Sequence, residues 1–253
     1  MTKRESQKRY NGERRSAFWR VGVDGCKAGW FYVASNGEQF FFGIVSSVAE
    51  LMPLFPDVGR IVIDIPIGLH DKGSHPRTCD IEARKLLKPR GSTVFPSPVR
   101  PCLYAASYIE ACEVSEQLTG KKLSKQAYSI FNKIREVDEL LIDNPKLQAV
   151  IGEAHPELGF CMLNNEKPLL SKKKRTEGIQ QRLNLLKKKL ECSEEIYCAA
   201  LDRYPRKYLA RDDIVDALMC LCIALASDEK LKTVPAVPAY DQSGLPMQML
   251  YTE

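Results

Sequence analysis

The first quarter of the chain alternates short apolar runs with polar positions, as β-strands do. Three such runs follow one another closely, at residues 18–24, 30–34 and 39–45. Asn36-Gly37 separates the last two, and Asn-Gly between such runs is a strong hairpin signal. A fourth run, residues 60–66, contains consecutive β-branched residues, as in a strand buried on both faces within a parallel sheet. The pattern therefore predicts an antiparallel meander followed by a buried parallel strand.

Helical periodicity dominates most of the remaining chain. Apolar stripes, caps and one further strand-like run predict helices at 47–54, 103–118, 124–141, 176–190 and 211–227, with the strand at 146–153. The last helix is apolar nearly all round, which predicts deep burial. The order β-β-β-α-β-insertion-β-α-α belongs to the α/β class. It predicts a ribonuclease H-like mixed five-stranded sheet with flanking helices and a large helical insertion after the fourth strand.

This order of elements predicts three segments. Residues 1–16 are polar and basic without periodicity, and we expect a flexible basic arm there. Residues 17–230 form the expected ribonuclease H-like domain, with the insertion at about 67–145. Residues 231–253 remain as a C-terminal extension.

Composition narrows the class of protein. Hydrophobic residues make up 44% of the 253 residues, which is enough for a full core. The chain lacks both the run of roughly 18 apolar residues that a membrane span needs and the apolar core of a signal peptide, so we expect a cytoplasmic protein without membrane contact. The net charge of +5 is compatible with a polyanionic partner. Nine cysteines without a C-x-x-C pair, and three histidines without ligand spacing, argue against zinc.

Acidic residues recur at the ends of the predicted elements. Asp24 ends the first strand, Asp64 the fourth and Glu153 the fifth, and neighbouring first and fourth strands would place Asp24 beside Asp64. Asp213 and Asp216 share one face of the last helix. Because converging carboxylates repel one another, a divalent cation is their usual relief. We expect these five residues to be catalytic, and Asp24, Asp64, Asp213 and Asp216 to hold Mg²⁺ or Mn²⁺.

Each acid also has a structural alternative. The helix acids can cap the helix and complement its dipole. Asp64 can bond its own backbone in a turn, and Glu153 can pair with an arginine. Asp24 has the weakest alternative, because Gly25 already supplies the turn.

Eight sequence blocks resemble one known family, that of the domain of unknown function 429 (DUF429). They span residues 18–228 and comprise VGVDGCKAGW (21–30), IDIPIGL (63–69), CDIEAR (79–84), STVFPSP (92–98), KIREVD (133–138), EAHPE (153–157), SKKKRTEG (171–178) and DDIVDA (212–217). The resemblance implies a ribonuclease H-like nuclease akin to Holliday-junction resolvases. Under that resemblance Asp24, Asp64 and either Asp213 or Asp216 correspond to the catalytic acids.

Basic residues in and beside these blocks are candidate phosphate ligands, because guanidinium and ammonium groups suit phosphate. The candidates are Lys27, Arg77, Arg84, Arg90, Arg100, Lys173, Lys174 and Arg182. Their alternative is ion pairing with Glu82, Glu136, Asp138 and Glu157. His155 can polarise a water or hold the turn before Pro156, and we leave it outside the core mechanism.

The sequence therefore predicts a metal-dependent nuclease that acts on DNA or RNA. Two alternatives stay open: an ATP-linked phosphotransferase or ATPase of related fold, and a non-catalytic scaffold that binds nucleic acid. A homodimer is also left open.

Overall fold

A mixed five-stranded sheet forms the centre of residues 18–253, which are the residues that the computed structural model describes. Its strands are β1 (Trp19–Cys26), β2 (Gly29–Ser35), β3 (Phe40–Val45), β4 (Val58–Ile63) and β5 (Ile151–Glu153). They lie in the order β3-β2-β1-β4-β5, with β1 to β3 antiparallel and β4 and β5 parallel to β1. The predicted mixed sheet, and the predicted pairing of its first and fourth strands, are confirmed. The predicted N-terminal arm lies outside the described residues.

Helices cover both faces of this sheet. In the described part of the chain they are α1 (Leu51–Leu54), α2 (Thr78–Leu86), α3 (Tyr108–Thr119), α4 (Lys125–Tyr128), α5 (Phe131–Asp143), α6 (Pro156–Leu163), α7 (Thr176–Lys187), α8 (Ser193–Arg203) and α9 (Arg211–Ala224). One face packs against α6 to α9, and the other against α1 and α3 to α5. Across residues 18–253, no helix combines the length and the apolar character that crossing a membrane requires.

The helix predicted at 124–141 and the strand predicted at 146–153 are among the elements that differ from the observed ones. The helix expected at 124–141 is divided into α4 and α5, and Ser124 caps only α4. The strand expected at 146–153 is a 3-10 turn, Pro145–Ala149, followed by the three-residue β5. Leu147 in this turn and Val150 directly after it pack on the α5 side of the sheet. Their apolar character therefore reflects packing against the core, although in the sequence it resembled a strand.

The last 23 residues add an element that the sequence pattern did not predict. Strands β6 (Leu231–Tyr240) and β7 (Pro246–Thr252) form an antiparallel hairpin. Met247 and Met249 are buried with residues of α2 and α6, and Leu250 bridges to Ala154 just after β5. The hairpin therefore closes a third small core beside the edge of the sheet.

Helix α9 packs directly against the backbone of β1. Gly22 lies in β1, and a Cβ atom built on it would be 2.0 Å from the backbone nitrogen of Leu221 and 2.3 Å from the carbonyl oxygen of Ala217. Only a glycine leaves room for this contact. The helix itself is buried along nearly its whole length, as its apolar sequence predicts.

Replacing Gly22 with alanine tests this contact. The added methyl group meets backbone atoms that cannot rotate away, so Gly22→Ala should lower the free energy of unfolding by about 3 kcal/mol. Denaturant unfolding measures the difference. Gly25→Ala is the matched control, because its Cβ would meet the flexible side chain of Lys133 at 2.8 Å. Equal losses in the two variants would contradict the tight packing of α9 on β1.

Candidate metal centre

Three aspartates from three elements converge at one edge of the sheet. Asp24 belongs to β1, Asp64 directly follows β4, and Asp216 lies in the second turn of α9. Each offers a carboxylate oxygen, and the three oxygens lie within 4.8 Å of one another. Asp24 and Asp216 are buried, whereas Asp64 is half-buried. The group therefore has a buried side and an open side.

Backbone pairing explains why these residues meet. Val23 of β1 is paired in parallel with Ile63 of β4, so the next residues, Asp24 and Asp64, emerge side by side. The Asp64 backbone N–H donates to the Val23 carbonyl oxygen at 3.1 Å, which extends the ladder by one bond. The close contact at Gly22 then holds α9 over β1, with Asp216 directly before the contacting Ala217. The strand pairing thus supplies two of the carboxylates and the helix supplies the third.

Burial and like charge make this group electrostatically costly. Burial, with further repulsion from Asp64 and Asp216, raises the pKa of Asp24 well above its ordinary value. Burial, followed by repulsion from Asp216, raises the pKa of Asp64 to about 7. The pKa of Asp216 is also raised by burial, and Lys173 opposes that rise. Added positive charge at this position would remove the cost.

The donors present fit a hard divalent cation. Mg²⁺ and Mn²⁺ prefer carboxylate oxygens, and this group consists of them. Asp216 Oδ1 is buried without a hydrogen-bond partner among residues 18–253, although buried polar atoms are nearly always paired. This unpaired oxygen belongs to a residue of the three-aspartate group, and it is a suitable donor to a cation.

The other two predicted acids lie outside this group. Asp213 Oδ2 accepts the backbone N–H of Ala210 at 2.9 Å, so Asp213 caps the start of α9, and burial raises its pKa to about 6. Glu153 accepts two hydrogen bonds from Arg77, at 2.7 and 2.8 Å, and one from the Ile67 backbone N–H at 2.7 Å. Asp213 therefore caps a helix and Glu153 pairs with an arginine, which are the structural alternatives that the sequence analysis gave for them.

Three of the predicted phosphate ligands are buried in ion pairs. Arg77 contacts Glu153 and Asp80, Arg100 contacts Asp138 and Asp241, and Arg182 contacts Glu157. Their guanidinium groups are fixed within the fold, which is the ion-pairing alternative considered for the basic residues. The structural alternative therefore accounts for these three arginines, and the substrate contacts expected for them stay a prediction.

The remaining predicted basic residues lie nearer the surface. Arg84 donates to the Val94 carbonyl oxygen at 2.7 Å, and Arg90 donates to the carbonyl oxygens of residues 169–171. Lys27 and Lys174 are exposed. Lys173 alone among the eight contacts the three-aspartate group, with its Nζ 2.5 Å from Asp216 Oδ2. Burial would lower its pKa, but Asp216, Asp64 and Asp24 together raise it well above the ordinary value.

A small cavity of about 20 Å³ adjoins Asp64, and sequence reasoning did not anticipate it. Ser97 and His155 line it, and both Ser97 Oγ and His155 Nδ1 are buried without a partner. His155 Nε2 lies 3.3 Å from the Thr93 carbonyl oxygen, and burial lowers the pKa of the ring. The hydrophobic periodicity of the sequence does not indicate this cavity. In the sequence, Ser97 and His155 stand out only because they lie in the family-like blocks at 92–98 and 153–157.

The pKa of Asp64 has a testable consequence for stability. Its ordinary value is 3.8 and its folded value is about 7, so the folded state binds more protons between these pH values. The stabilisation is complete at low pH and is lost as the pH rises through about 7. In EDTA, we expect the Tm of the wild type to fall more steeply between pH 5 and pH 8 than that of Asp64→Asn. Parallel Tm profiles in scanning calorimetry would contradict this assignment.

Comparison with known proteins gives one match. The family model described as "Protein of unknown function (DUF429)" matches residues 22–239. No curated protein and no solved structure matches the chain. The matched range contains Asp24, Asp64 and Asp216, together with Lys173. Because the match covers well over half of the sequence, the chain belongs to the DUF429 family.

Proposed function

We propose that this protein is a divalent-metal-dependent nuclease, which hydrolyses phosphodiester bonds in nucleic acid. The observation that carries the proposal is the convergence of Asp24, Asp64 and Asp216, with carboxylate oxygens within 4.8 Å of one another. The unpaired, buried Oδ1 of Asp216 supports it independently. Family membership is compatible with this activity but does not define it.

The three aspartates would hold the cation through one oxygen each. A bound Mg²⁺ or Mn²⁺ supplies Lewis acidity toward a phosphoryl oxygen and lowers the pKa of a water molecule. Asp24 and Asp216 act from the buried side and fix the position of the site, because β1 and α9 are packed together there. Asp64 is half-buried, so a phosphodiester would approach from its side.

The arrangement of the acids supports phosphodiester chemistry in particular. The sheet order β3-β2-β1-β4-β5, with acids on β1, after β4 and on a helix packed against β1, is that expected of a ribonuclease H-like nuclease. The fold alone does not determine function, which depends on the residues of the site. At the site, the three close carboxylates have raised pKa values, and a bound cation would relieve their repulsion.

The distribution of exposed charge supports a polyanionic substrate. Lys27 is exposed directly after β1, and Lys172, Lys174 and Arg175 are exposed beside Lys173. The chain as a whole carries a net charge of +5. Such lysines and arginines would contact phosphates along a strand without reading its sequence, and binding would weaken as salt rises.

A cleavage assay with matched aspartate variants tests the proposal. With Mn²⁺ and a panel of labelled DNA, RNA and branched substrates, the wild type should cut at least one substrate, and EDTA should abolish the reaction. Asp64→Asn should lower the rate at least 100-fold because a ligand to the cation is lost. Asp57→Asn is the control, since Asp57 is exposed and lies at the opposite end of β4.

Two results would contradict the nuclease. One is equal cleavage by the wild type and Asp64→Asn, which would place the activity elsewhere or in a contaminant. The other is the failure of the pure protein to cut any of the substrates. If Mn²⁺ also failed to bind, the result would favour a scaffold, because a scaffold has no need of a cation between Asp24 and Asp64.

A further inference from the structure

Lys173 is held at the acidic group rather than free at the surface. Its Nζ lies 2.5 Å from Asp216 Oδ2, and its side chain is only 35% exposed. An ammonium group has three N–H donors, and this contact uses one of them. Lys174, the next residue, is exposed. The two neighbouring lysines therefore have different environments.

The segment that carries Lys173 is fixed by two arginines. Arg182 is fully buried, pairs with Glu157 through two hydrogen bonds, and lies 3.4 Å from the Ser171 carbonyl oxygen. Arg90 donates to the carbonyl oxygens of residues 169–171. These contacts hold the backbone immediately before Lys173, so the position of the lysine is built into the fold.

The start of α7 supports the same segment from the other side. A Cβ atom at Gly178 would lie 2.2 Å from the Lys172 carbonyl oxygen, so the segment packs directly on the helix. The Arg175 backbone N–H also donates to that carbonyl oxygen at 2.9 Å. Residues 171–175 therefore form a turn that presents Lys173 toward Asp216.

The charge of the group limits how many cations it can hold. When Asp24, Asp64 and Asp216 are ionised, Lys173 leaves two negative charges uncompensated, and one divalent cation neutralises them. A second divalent cation would leave two positive charges in a largely buried site, which is costly.

The number of free carboxylate oxygens also favours a single divalent cation. Asp216 Oδ2 is taken by Lys173, which leaves Oδ1 as its free oxygen. Among the other described acids near the group, Glu153 pairs with Arg77 through both oxygens, and Asp213 Oδ2 accepts the Ala210 backbone N–H. Fewer carboxylate oxygens are therefore available to a pair of ions about 3.5 to 4 Å apart than in a site whose acids are all unpaired.

We propose that Lys173 is a fixed cation of this site, which takes the place of a second metal ion and restricts the site to one divalent cation. This inference rests on the proposed function only in assuming that the three aspartates bind such a cation. It changes the role expected for Lys173, from a surface phosphate ligand to a constant part of the acidic centre. The donors of its ammonium group that Asp216 leaves unused are then available to a phosphoryl oxygen of the substrate.

Manganese binding to the complete chain tests the proposal without an activity assay. Calorimetric titration should give one Mn²⁺ per chain, with the electron paramagnetic resonance spectrum of an isolated ion. Lys173→Met removes the repelling charge, so it should bind Mn²⁺ at least tenfold more tightly. Lys174→Met is the matched control and should stay within twofold of the wild type. If Lys173→Met fails to fold, Lys173→Arg takes its place in the test. It retains the charge and should bind a single, isolated ion.

The possible outcomes separate this inference from the nuclease proposal. Two spin-coupled Mn²⁺ ions in the wild type, or unchanged affinity in Lys173→Met, would overturn the role of Lys173 alone. Failure of the wild type to bind any Mn²⁺ would overturn the metal site and the nuclease with it.

A labelling experiment shows whether Lys173 stays in place when the cation binds. With saturating Mg²⁺, amine acylation followed by mass spectrometry should label Lys174 much faster than Lys173. Fast labelling of Lys173 only when Mg²⁺ is present would show that the ion displaces the lysine, and would overturn its role as a fixed cation.

Discussion

The packing of α9 directly on β1 is the constraint on which the rest of the structure depends. At Gly22 the two backbones approach so closely that a single methyl group would meet Leu221 and Ala217. This contact buries the apolar helix at the centre of the larger core and holds Asp216 over the end of β1. Without it, Asp24 and Asp64 would still be neighbours through strand pairing, but the third carboxylate would be absent. Packing energy thus maintains a cluster of like charges that electrostatics alone would disperse.

The buried acids of this protein fall into two groups with different partners. Glu153, Asp138 and Glu157 each pair with a buried arginine. These pairs join the insertion to β5, link two parts of the insertion, and join α7 to α6. Within residues 18–253, the one ammonium group that pairs directly with Asp24, Asp64 or Asp216 is that of Lys173, and the three acids keep raised pKa values. Because the fold supplies arginines to its structural acids and leaves these three under-compensated, we propose that the three bind a cation. In our account, Lys173 sets the charge of that site so that one divalent ion completes it.

The sequence predicted the sheet and the meeting of Asp24 with Asp64, because strand periodicity and parallel pairing are local signals with a definite geometric result. It left Asp213 and Asp216 as equals, since helical spacing does not show which one caps the helix. It also could not separate surface arginines from buried ones, because Arg77, Arg100 and Arg182 have partners far away in the chain. The role of Gly22 depends on a distance of 2.0 Å between two elements that are separated by nearly 200 residues, and no local pattern encodes it. The hairpin of β6 and β7 was missed because it packs against elements far away in the sequence, among them α2 and α6.

A crystal of the protein soaked in Mn²⁺, measured at a wavelength that gives anomalous scattering, shows directly whether the three aspartates bind a cation. We expect one peak, bounded by Asp24, Asp64 and Asp216, with Lys173 still bonded to Asp216. If no peak lies among these three aspartates, with Mn²⁺ bound elsewhere or not at all, they do not form a metal centre.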